Sequence, residues 1–351
     1  MGKHSKDNVN SKEKNKQKYK STSKKLIISL LLILLAIPVG VFGYMYVKLN
    51  SIHVKSDYES TISDVKGITN ILLTGTDARP GESASRTDSM MILTLDTKND
   101  SIKLTSLARD TYVQLPGKGG AKLNTAYFWG QESMLFETIE SEFGIGIDKI
   151  VQVDFNALMT IIDILGGVEV DVPANSLSNI NLCAQESYGH YDSSTKGDFI
   201  SIKSAGLQTL NGYQALGFSR TRKADSAIDR DGRQQEIILA VAEKMKNISP
   251  SKFPQLLDSI LPHIKTNISS SEILKISLTG LGIISNGSEI KKAEFPIIDN
   301  VHVKGGIYKN AGWVWLYDVN SVSVLQDFIY RDIDMEDNEY LKDNSNIQLN
   351  Y

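Results

Sequence analysis

Short apolar runs that end at glycine, proline or polar residues predict a set of β-strands. The runs 68–75 (ITNILLTG), 90–97 (MMILTLDT) and 101–108 (SIKLTSLA) have strand composition, and the polar KND between the last two predicts a hairpin. Residues 168–173 (VEVDVP) alternate with period two and end at a proline, and a last strand is predicted at 293–298. The pattern therefore predicts a sheet assembled from several parts of the chain.

Apolar residues at helical spacing predict helices between these strands. Residues 155–165 (FNALMTIIDIL) have that spacing and stop at a glycine pair, and residues 233–247 place isoleucine, valine and methionine on one face. Two more helices are predicted at 250–265 and 270–285. Residues 175–199 lack periodicity and are predicted to form a long surface loop of the kind that often belongs to a functional site.

The order of these elements predicts the fold class. Strands and helices follow one another without a proline- or glycine-rich break, which indicates an α/β domain over residues 66–351. Its central sheet should be covered by helices on both faces, as an αβα sandwich. Motifs concentrate in residues 66–247, and residues 248–351 form a C-terminal extension.

The N-terminal part of the chain has a different character. Residues 1–25 contain nine lysines and are predicted to be a disordered basic tail. Residues 26–47 contain no charged residue and are long enough for a membrane-spanning helix, which needs about 20 apolar residues. The lysine-rich flank predicts a cytoplasmic N-terminus. Residues 48–65 are predicted to form a linker or stalk, and the rest of the chain is predicted to be an extracytoplasmic domain of Gram-positive type. A cleavable signal peptide is the alternative.

Composition excludes several classes of protein. The net charge of −3 is not that of a nucleic-acid binder. The single cysteine, Cys183, cannot form a disulfide within the chain, and the five scattered histidines do not have the spacing of a zinc site.

Arginine is scarce and unevenly placed. The chain has 30 lysines and eight arginines, and four of the arginines lie in GFSRTRKADSAIDRDGRQQE, residues 217–236. An arginine presents a planar fork of donors that binds a carboxylate or phosphate through two bonds, which lysine cannot do. The cluster therefore predicts an anion site, although a solvated charged loop before a helix would have the same composition.

Three further pieces place charge at predicted strand ends. Asp77 follows the first strand, Arg86 and Asp88 precede the second, and Arg109 and Asp110 follow the third, with Lys122 after a glycine turn. Charges at the ends of adjacent strands converge at one rim of a sheet, where α/β proteins bind ligands. Guanidinium groups together with carboxylates match the needs of a phosphate and a divalent metal. Surface ion pairs and local caps are the alternative interpretation.

The motifs together resemble those of the LytR-CpsA-Psr family in order and spacing, over roughly residues 66–247. That family consists of membrane-anchored phosphotransferases, and the resemblance implies transfer of an anionic glycopolymer, a teichoic acid or capsule-type polysaccharide, from an undecaprenyl pyrophosphate carrier to a peptidoglycan hydroxyl. The matching pieces are TGTDARPG, SRTDSM, SLARDTYVQLPG, AKLNTAY, DILGGVEVDVP, LNGYQALGFSRTRK and DRDGRQQ.

The resemblance also implies roles for individual residues. Asp77 and Asp88 resemble the two carboxylates that hold Mg²⁺, for which Mn²⁺ can substitute. The chemistry of the reaction, rather than the resemblance, calls for a base at the acceptor hydroxyl, and Asp110 or Asp229 is the candidate. Arg109, Arg220 and Arg222 are also expected to take part in catalysis. The residues that match the pyrophosphate-contacting set are Arg86, Arg109, Lys122, Arg220, Arg222, Arg230 and Gln234.

Apolar residues of the two helices at 155–165 and 233–245 could line a slot for the carrier lipid, although core packing would use the same residues. Two rival functions use the same sequence features. A lipid-pyrophosphate phosphatase would use water in place of the sugar hydroxyl. A non-catalytic transcriptional attenuator would use the basic tail, but without a helix-turn-helix pattern no nucleic-acid partner is expected.

Overall fold

The computed structural model of the chain falls into two units, Met1–Asn50 and Ser51–Tyr351. It describes residues 43–44, 46–76, 87–191, 196–221, 227–246, 248–249, 252–288, 290–299, 301–342 and 346–351, without the side chains of 88, 227–231 and 253. Residues 43–44 and 46–50 of the first unit are helical. Most of the predicted membrane span, 26–47, lies outside the described residues, and no described helix is both long and apolar enough to cross a bilayer.

A mixed six-stranded sheet is the centre of the second unit. Its pairs β10–β3 and β1–β6 are parallel, and the β3–β2, β2–β1 and β6–β9 pairs are antiparallel. The strand order is β10-β3-β2-β1-β6-β9. These strands are β1 (Ile68–Thr76), β2 (Thr87–Asp96), β3 (Ser101–Leu107), β6 (Ile150–Asp154), β9 (Ile264–Thr266) and β10 (Ile290–Phe295).

Three two-stranded ribbons and a set of helices surround this sheet. The ribbons are β4 (Tyr112–Leu115) with β5 (Gly119–Lys122), β7 (Val168–Val172) with β8 (Gly206–Leu210), and β11 (Val303–Ile307) with β12 (Trp313–Tyr317). The helices are α1 (Asn124–Phe143), α2 (Phe155–Ile164), α3 (Leu177–His190), α4 (Gly212–Arg220), α5 (Ala227–Lys246), α6 (Phe253–Ile260), α7 (Ser270–Ser285) and α8 (Val322–Arg331).

Helices cover both faces of the sheet, which confirms the predicted α/β class with flanking helices. Side chains alternate between the two faces along a strand. Leu72 and its cross-strand partner Ile92 face helices α1 and α8. On that face they belong to one core cluster with Phe136 of α1 and Phe328 of α8. The paired residues Leu95 and Ile102 lie on the opposite face, where they contact helix α7 at Ile276 and Ile283.

The predicted strands 68–75, 90–97, 101–108 and 168–173 and the predicted helices 155–165, 233–247 and 270–285 all correspond to observed elements. Two boundaries were wrong because of proline. The helix predicted at 250–265 ends at Ile260, since Pro262 follows it, and the strand predicted at 293–298 spans 290–295, since Pro296 has no N–H for the ladder.

The loop predicted at 175–199 was also wrong, because residues 177–190 form helix α3. Its buried positions Ile180, Ala184 and Ser187 have helical spacing. Two of these three side chains are small, and one is polar. The apolar stripe is therefore too weak to see in the sequence.

Candidate active site

A cavity of about 470 Å³ opens at the end of strands β1 and β6. It lies on the face of the sheet that carries Leu73 and its cross-strand partner Met91, opposite the face covered by α1. Helices α2 to α5 supply the rest of its wall, so the predicted slot between 155–165 and 233–245 is present. The lining residues include Leu73, Met91, Phe155, Leu158, Ile161, Leu216, Ile237, Ile238 and Val241, with the polar residues Arg109, Asp154, Glu186, Ser219, Arg220 and Gln234.

Strand ends supply part of the polar lining of the cavity, and helices α3, α4 and α5 supply the rest. β1 and β6 run parallel, and Thr76 at the end of β1 pairs with Asp154 at the end of β6. Asp77, the first of the two predicted metal ligands, follows Thr76 directly but lies outside the described residues. Asp154 therefore lies next to the end of β1, and Asp77 is the next residue of the chain after that end.

Arg109 follows strand β3 and lines the cavity. Its side chain is mostly buried, with its Nε atom 3.6 Å from Asp110 Oδ2. Its backbone oxygen accepts a hydrogen bond from the Asn124 backbone N–H at 3.1 Å, which ties the strand end to the start of α1. The predicted position of Arg109 at the anion site therefore agrees with the geometry of the cavity.

Asp110 and Lys122 form an ion pair next to Arg109. Lys122 Nζ donates to Asp110 Oδ1 at 2.8 Å, and neither residue lines the cavity. The carboxylate of Asp110 thus contacts two cations, Arg109 and Lys122, and it helps to orient both. Its predicted role as general base remains a prediction.

Arg220 is the last residue of helix α4 and lines the cavity, as does Gln234 of helix α5. Its Nη1 atom donates to Ser187 Oγ at 3.3 Å, and its guanidinium lies 5.1 Å from the centre of the Phe155 ring. A cation at this distance from an aromatic ring is attracted by the ring face. Arg220 is thereby oriented at the cavity rather than spread along the surface.

Arg233 has a structural role that the sequence left open. It is buried, and it donates from Nε to the Phe218 backbone oxygen at 3.1 Å and from Nη2 to the Thr221 oxygen at 2.6 Å. These carbonyls belong to the end of α4, whose last oxygens have no partner within the helix. Arg233 therefore fixes the segment that carries Arg220.

The remaining predicted site residues cannot be placed. Asp77, Arg86 and Arg222 lie outside the described residues. Asp88 belongs to β2, and Asp229 and Arg230 belong to α5, without described side chains. Their roles remain predictions.

Sequence reasoning missed Asp154 and His263. Asp154 Oδ1 accepts from the Ala157 backbone N–H at 2.8 Å and so caps helix α2, while Oδ2 lies 2.9 Å from His263 Nδ1. An aspartate between a strand and a helix is a recognisable N-cap signal. The contact with His263 had no signal, because it depends on the pairing of β6 with β9.

No group of three or more histidine, cysteine or acidic side chains that could hold a metal is present among the described residues. The predicted ligands Asp77 and Asp88 are not described at the side-chain level. Their carboxylates are the ligand type that Mg²⁺ prefers.

Comparisons with known proteins agree with this architecture. Residues 40–327 match the model of the LytR_cpsA_psr family. The polyisoprenyl-teichoic acid–peptidoglycan teichoic acid transferase TagU of Bacillus mycoides (strain KBAB4) is 32% identical over 253 residues, which cover 71% of this chain and 73% of TagU. The corresponding transferase TagT of Bacillus subtilis (strain 168) is 28% identical over 303 residues, 82% of this chain and 86% of TagT.

A solved structure of TagT bound to LIIa-WTA has the same fold. It superposes with a TM-score of 0.60 at 25% identity, and the match covers 80% of this chain and 99% of that one. The family model spans well over half of this chain, and the motifs quoted above lie within it. The protein therefore belongs to the LytR-CpsA-Psr family.

Proposed function

We propose that the protein transfers an anionic glycopolymer, of the teichoic acid or capsular type, from a polyprenyl pyrophosphate carrier to a sugar hydroxyl of peptidoglycan. The observation that carries the proposal is the cavity, which has apolar walls and two arginines, Arg109 and Arg220, among its lining. A polyprenyl pyrophosphate has an apolar chain that matches the walls and an anionic head group that matches the arginines. The similarity to TagU and TagT, which are named as teichoic acid transferases, supports the same reaction.

The reaction exchanges one bond at phosphorus for another. The acceptor hydroxyl oxygen forms a bond to the phosphorus that bears the glycopolymer, and the bond from that phosphorus to the bridging oxygen breaks. Polyprenyl phosphate leaves with the bridging oxygen, and the hydroxyl proton passes to a base or to water. Negative charge in such a transition state lies on the phosphate oxygens, so positioned cations supply most of the catalysis.

Residues of this chain are suited to the electrostatic part of that task. Arg109 and Arg220 would bind non-bridging oxygens through their forked donors, and Gln234 would donate from its amide. The Phe155 ring and the Ser187 hydroxyl hold Arg220 in place before substrate binds. Arg86, Lys122, Arg222 and Arg230 are proposed to complete the set, with Asp110 or Asp229 as the base.

Magnesium is proposed as the cofactor, held by Asp77 and Asp88, with Mn²⁺ as a substitute. A bound divalent cation would neutralise charge on the two phosphates. The proposed location is the outer face of the cell membrane, with residues 26–47 as anchor and residues 1–25 in the cytoplasm. That location would keep the cavity near the head groups of the carrier lipid.

The proposed function is tested by following label from a lipid-linked glycopolymer after addition of peptidoglycan fragments. Label should appear on the glycan, together with free polyprenyl phosphate. Release of labelled polymer into water, with none on the glycan even at high acceptor concentration, would instead identify a phosphatase.

Removal of the metal should abolish the transfer. We expect chelation by EDTA to lower the rate at least 100-fold and added Mg²⁺ to restore it, and we expect Asp88→Asn to raise the Mg²⁺ concentration needed for half-maximal rate at least tenfold, because one carboxylate ligand loses its charge. The matched control is Asp100→Asn, at an exposed turn between β2 and β3. An Asp88→Asn protein with an unchanged Mg²⁺ response would contradict the metal assignment.

A further inference from the structure

Two large aromatic side chains near the start of helix α1 are exposed. Phe128 is 43% and Trp129 is 54% exposed, and their rings meet edge to face with centroids 5.9 Å apart. Lys118 Nζ lies 4.9 Å from the centre of the Trp129 ring. Adjacent exposed aromatic residues are unusual on a soluble surface and often mark a binding site. We call Phe128 and Trp129 the aromatic ledge.

Helix α1 is broken immediately after the ledge. Gly130 and Gln131 leave helical geometry, and Gln131 has φ 56° and ψ −150°, a conformation that residues other than glycine rarely adopt. A Cβ atom at position 130 would lie 2.6 Å from Met134 Cβ, so the break also requires glycine there. Backbone outliers of this kind concentrate at functional sites.

The ledge is close to the candidate active site along the chain and in space. Helix α1 starts at Asn124, whose backbone N–H donates to the Arg109 oxygen. Trp129 is five residues further, about 7.5 Å along a helix axis at 1.5 Å per residue. Tyr127, beside the ledge, has its hydroxyl 3.3 Å from Oε1 of Gln152, whose partner in β1 is the cavity-lining residue Thr74.

The ledge and the cavity lie on opposite faces of the sheet. The cavity is on the face of Leu73 and Met91, while α1 packs on the face of Leu72 and Ile92. In phosphoryl transfer the attacking and leaving oxygens lie roughly in line, on opposite sides of phosphorus. Arg109 follows β3 at the edge where the two faces meet, so an acceptor on the α1 side would approach a phosphorus bound there from the side opposite a leaving group in the cavity.

The chemistry of the ledge fits a sugar acceptor. The C–H face of a pyranose ring is apolar and flat, and it packs on the face of an indole or phenyl ring. The Lys118 ammonium can donate to the hydroxyl and amide oxygens of an N-acetylated amino sugar. We propose that the aromatic ledge is the subsite that binds the acceptor sugar of a peptidoglycan strand, an inference that rests on the proposed transferase function.

The test compares Trp129→Ala and Trp129→Phe with the wild-type protein, using a soluble peptidoglycan fragment as acceptor and a lipid-linked glycopolymer as donor. We expect Trp129→Ala to raise KM for the acceptor at least tenfold and to leave KM for the donor unchanged. Trp129→Phe should recover most of the loss, since a phenyl ring still stacks. Trp313→Ala is the matched control, because Trp313 is 41% exposed on the β11–β12 ribbon and should behave as wild type.

Each outcome separates the two proposals. An unchanged acceptor KM in Trp129→Ala would overturn the proposal that the ledge binds the acceptor. An equal rise of the donor and acceptor KM values would also overturn it, because it would indicate a general structural effect. Failure of the wild-type protein to label the acceptor at all would instead refute the transferase function. Direct binding of the fragment without donor, measured by calorimetry, should weaken at least tenfold in Trp129→Ala, and equal binding by both proteins also overturns the proposal.

Discussion

Replacement of Arg220 by lysine should lower the rate of glycopolymer transfer at least tenfold, and replacement by alanine should lower it about 10²- to 10³-fold, as when one donor to a transition-state oxyanion is removed. Lysine keeps the positive charge but loses the planar fork of donors and the Nη1 hydrogen bond to Ser187. The measurement is the single-turnover rate at saturating donor and acceptor.

The control for this prediction is Arg331, another arginine at a helix end. Its side chain is 73% exposed, and it pairs with Asp327 four residues earlier. Arg331→Lys and Arg331→Ala should leave the transfer rate within a factor of two, since the residue does not line the cavity. An Arg220→Lys protein with full activity would show that charge attraction alone is sufficient at this position.

Replacement of the buried Lys103 by methionine should lower the free energy of unfolding by about 3–5 kcal/mol, the usual cost of leaving a buried charge without its partner. The Lys103 side chain is fully buried in β3, and its Nζ atom donates to Asp96 Oδ2 at 2.9 Å and to the Ile329 oxygen at 3.0 Å. It also lies 3.1 Å from Asp332 Oδ1. Chemical denaturation followed by circular dichroism measures the change.

The matched control is Lys342→Met, which removes an exposed pair with Glu339 and should change stability by at most about 1 kcal/mol. A loss of less than 1 kcal/mol for Lys103→Met would contradict the assigned role of the buried pair.

The same ion pairs predict the acid sensitivity of the fold. Burial opposes ionisation of Asp96, but hydrogen bonds from Lys103 and Asn99 outweigh it and hold the pKa of Asp96 below its ordinary value. The pKa of Asp332 is also lowered, because Lys291, Ser101 and Lys103 together outweigh its burial. A lowered folded-state pKa contributes stability above the unfolded value of about 3.9, and that contribution is lost as the pH falls through the folded-state values. Lys103→Met should therefore show a weaker loss of stability in acid than the wild-type protein.

Sequence reasoning identified the parts of the fold that local pattern encodes. Strands β1 to β3 and helices α2, α5 and α7 were predictable because their apolar residues repeat with the period of the element that contains them. Helix α1 was not predicted, because its break at Gly130 and Gln131 interrupts that period. The apolar stripe of α3 was too weak to recognise for a different reason, because two of its three buried side chains are small.

The types of residue at the candidate site could be predicted from the sequence, but which of them meet at the cavity could not. Scarce arginines at strand and helix ends indicated an anion site, and Arg109 and Arg220 do line the cavity. Composition alone does not separate Arg220 from Arg233, since both lie in the same cluster, whereas the family resemblance matched Arg220 to the contact set and left Arg233 out. The structure assigns one to the cavity and the other to the carbonyls at the end of α4.

By itself, the sequence determined the α/β class and the family, because strand period and motif order are local properties of the chain. Only the tertiary structure decided that Asp154 stands beside Thr76, that Lys103 is buried between two carboxylates, and that the cavity and the aromatic ledge occupy opposite faces of one sheet. Those relations depend on which distant strands pair and which helix covers which face. Strand pairing and helix packing are set by the packing free energy of the whole domain, which no short stretch of sequence contains.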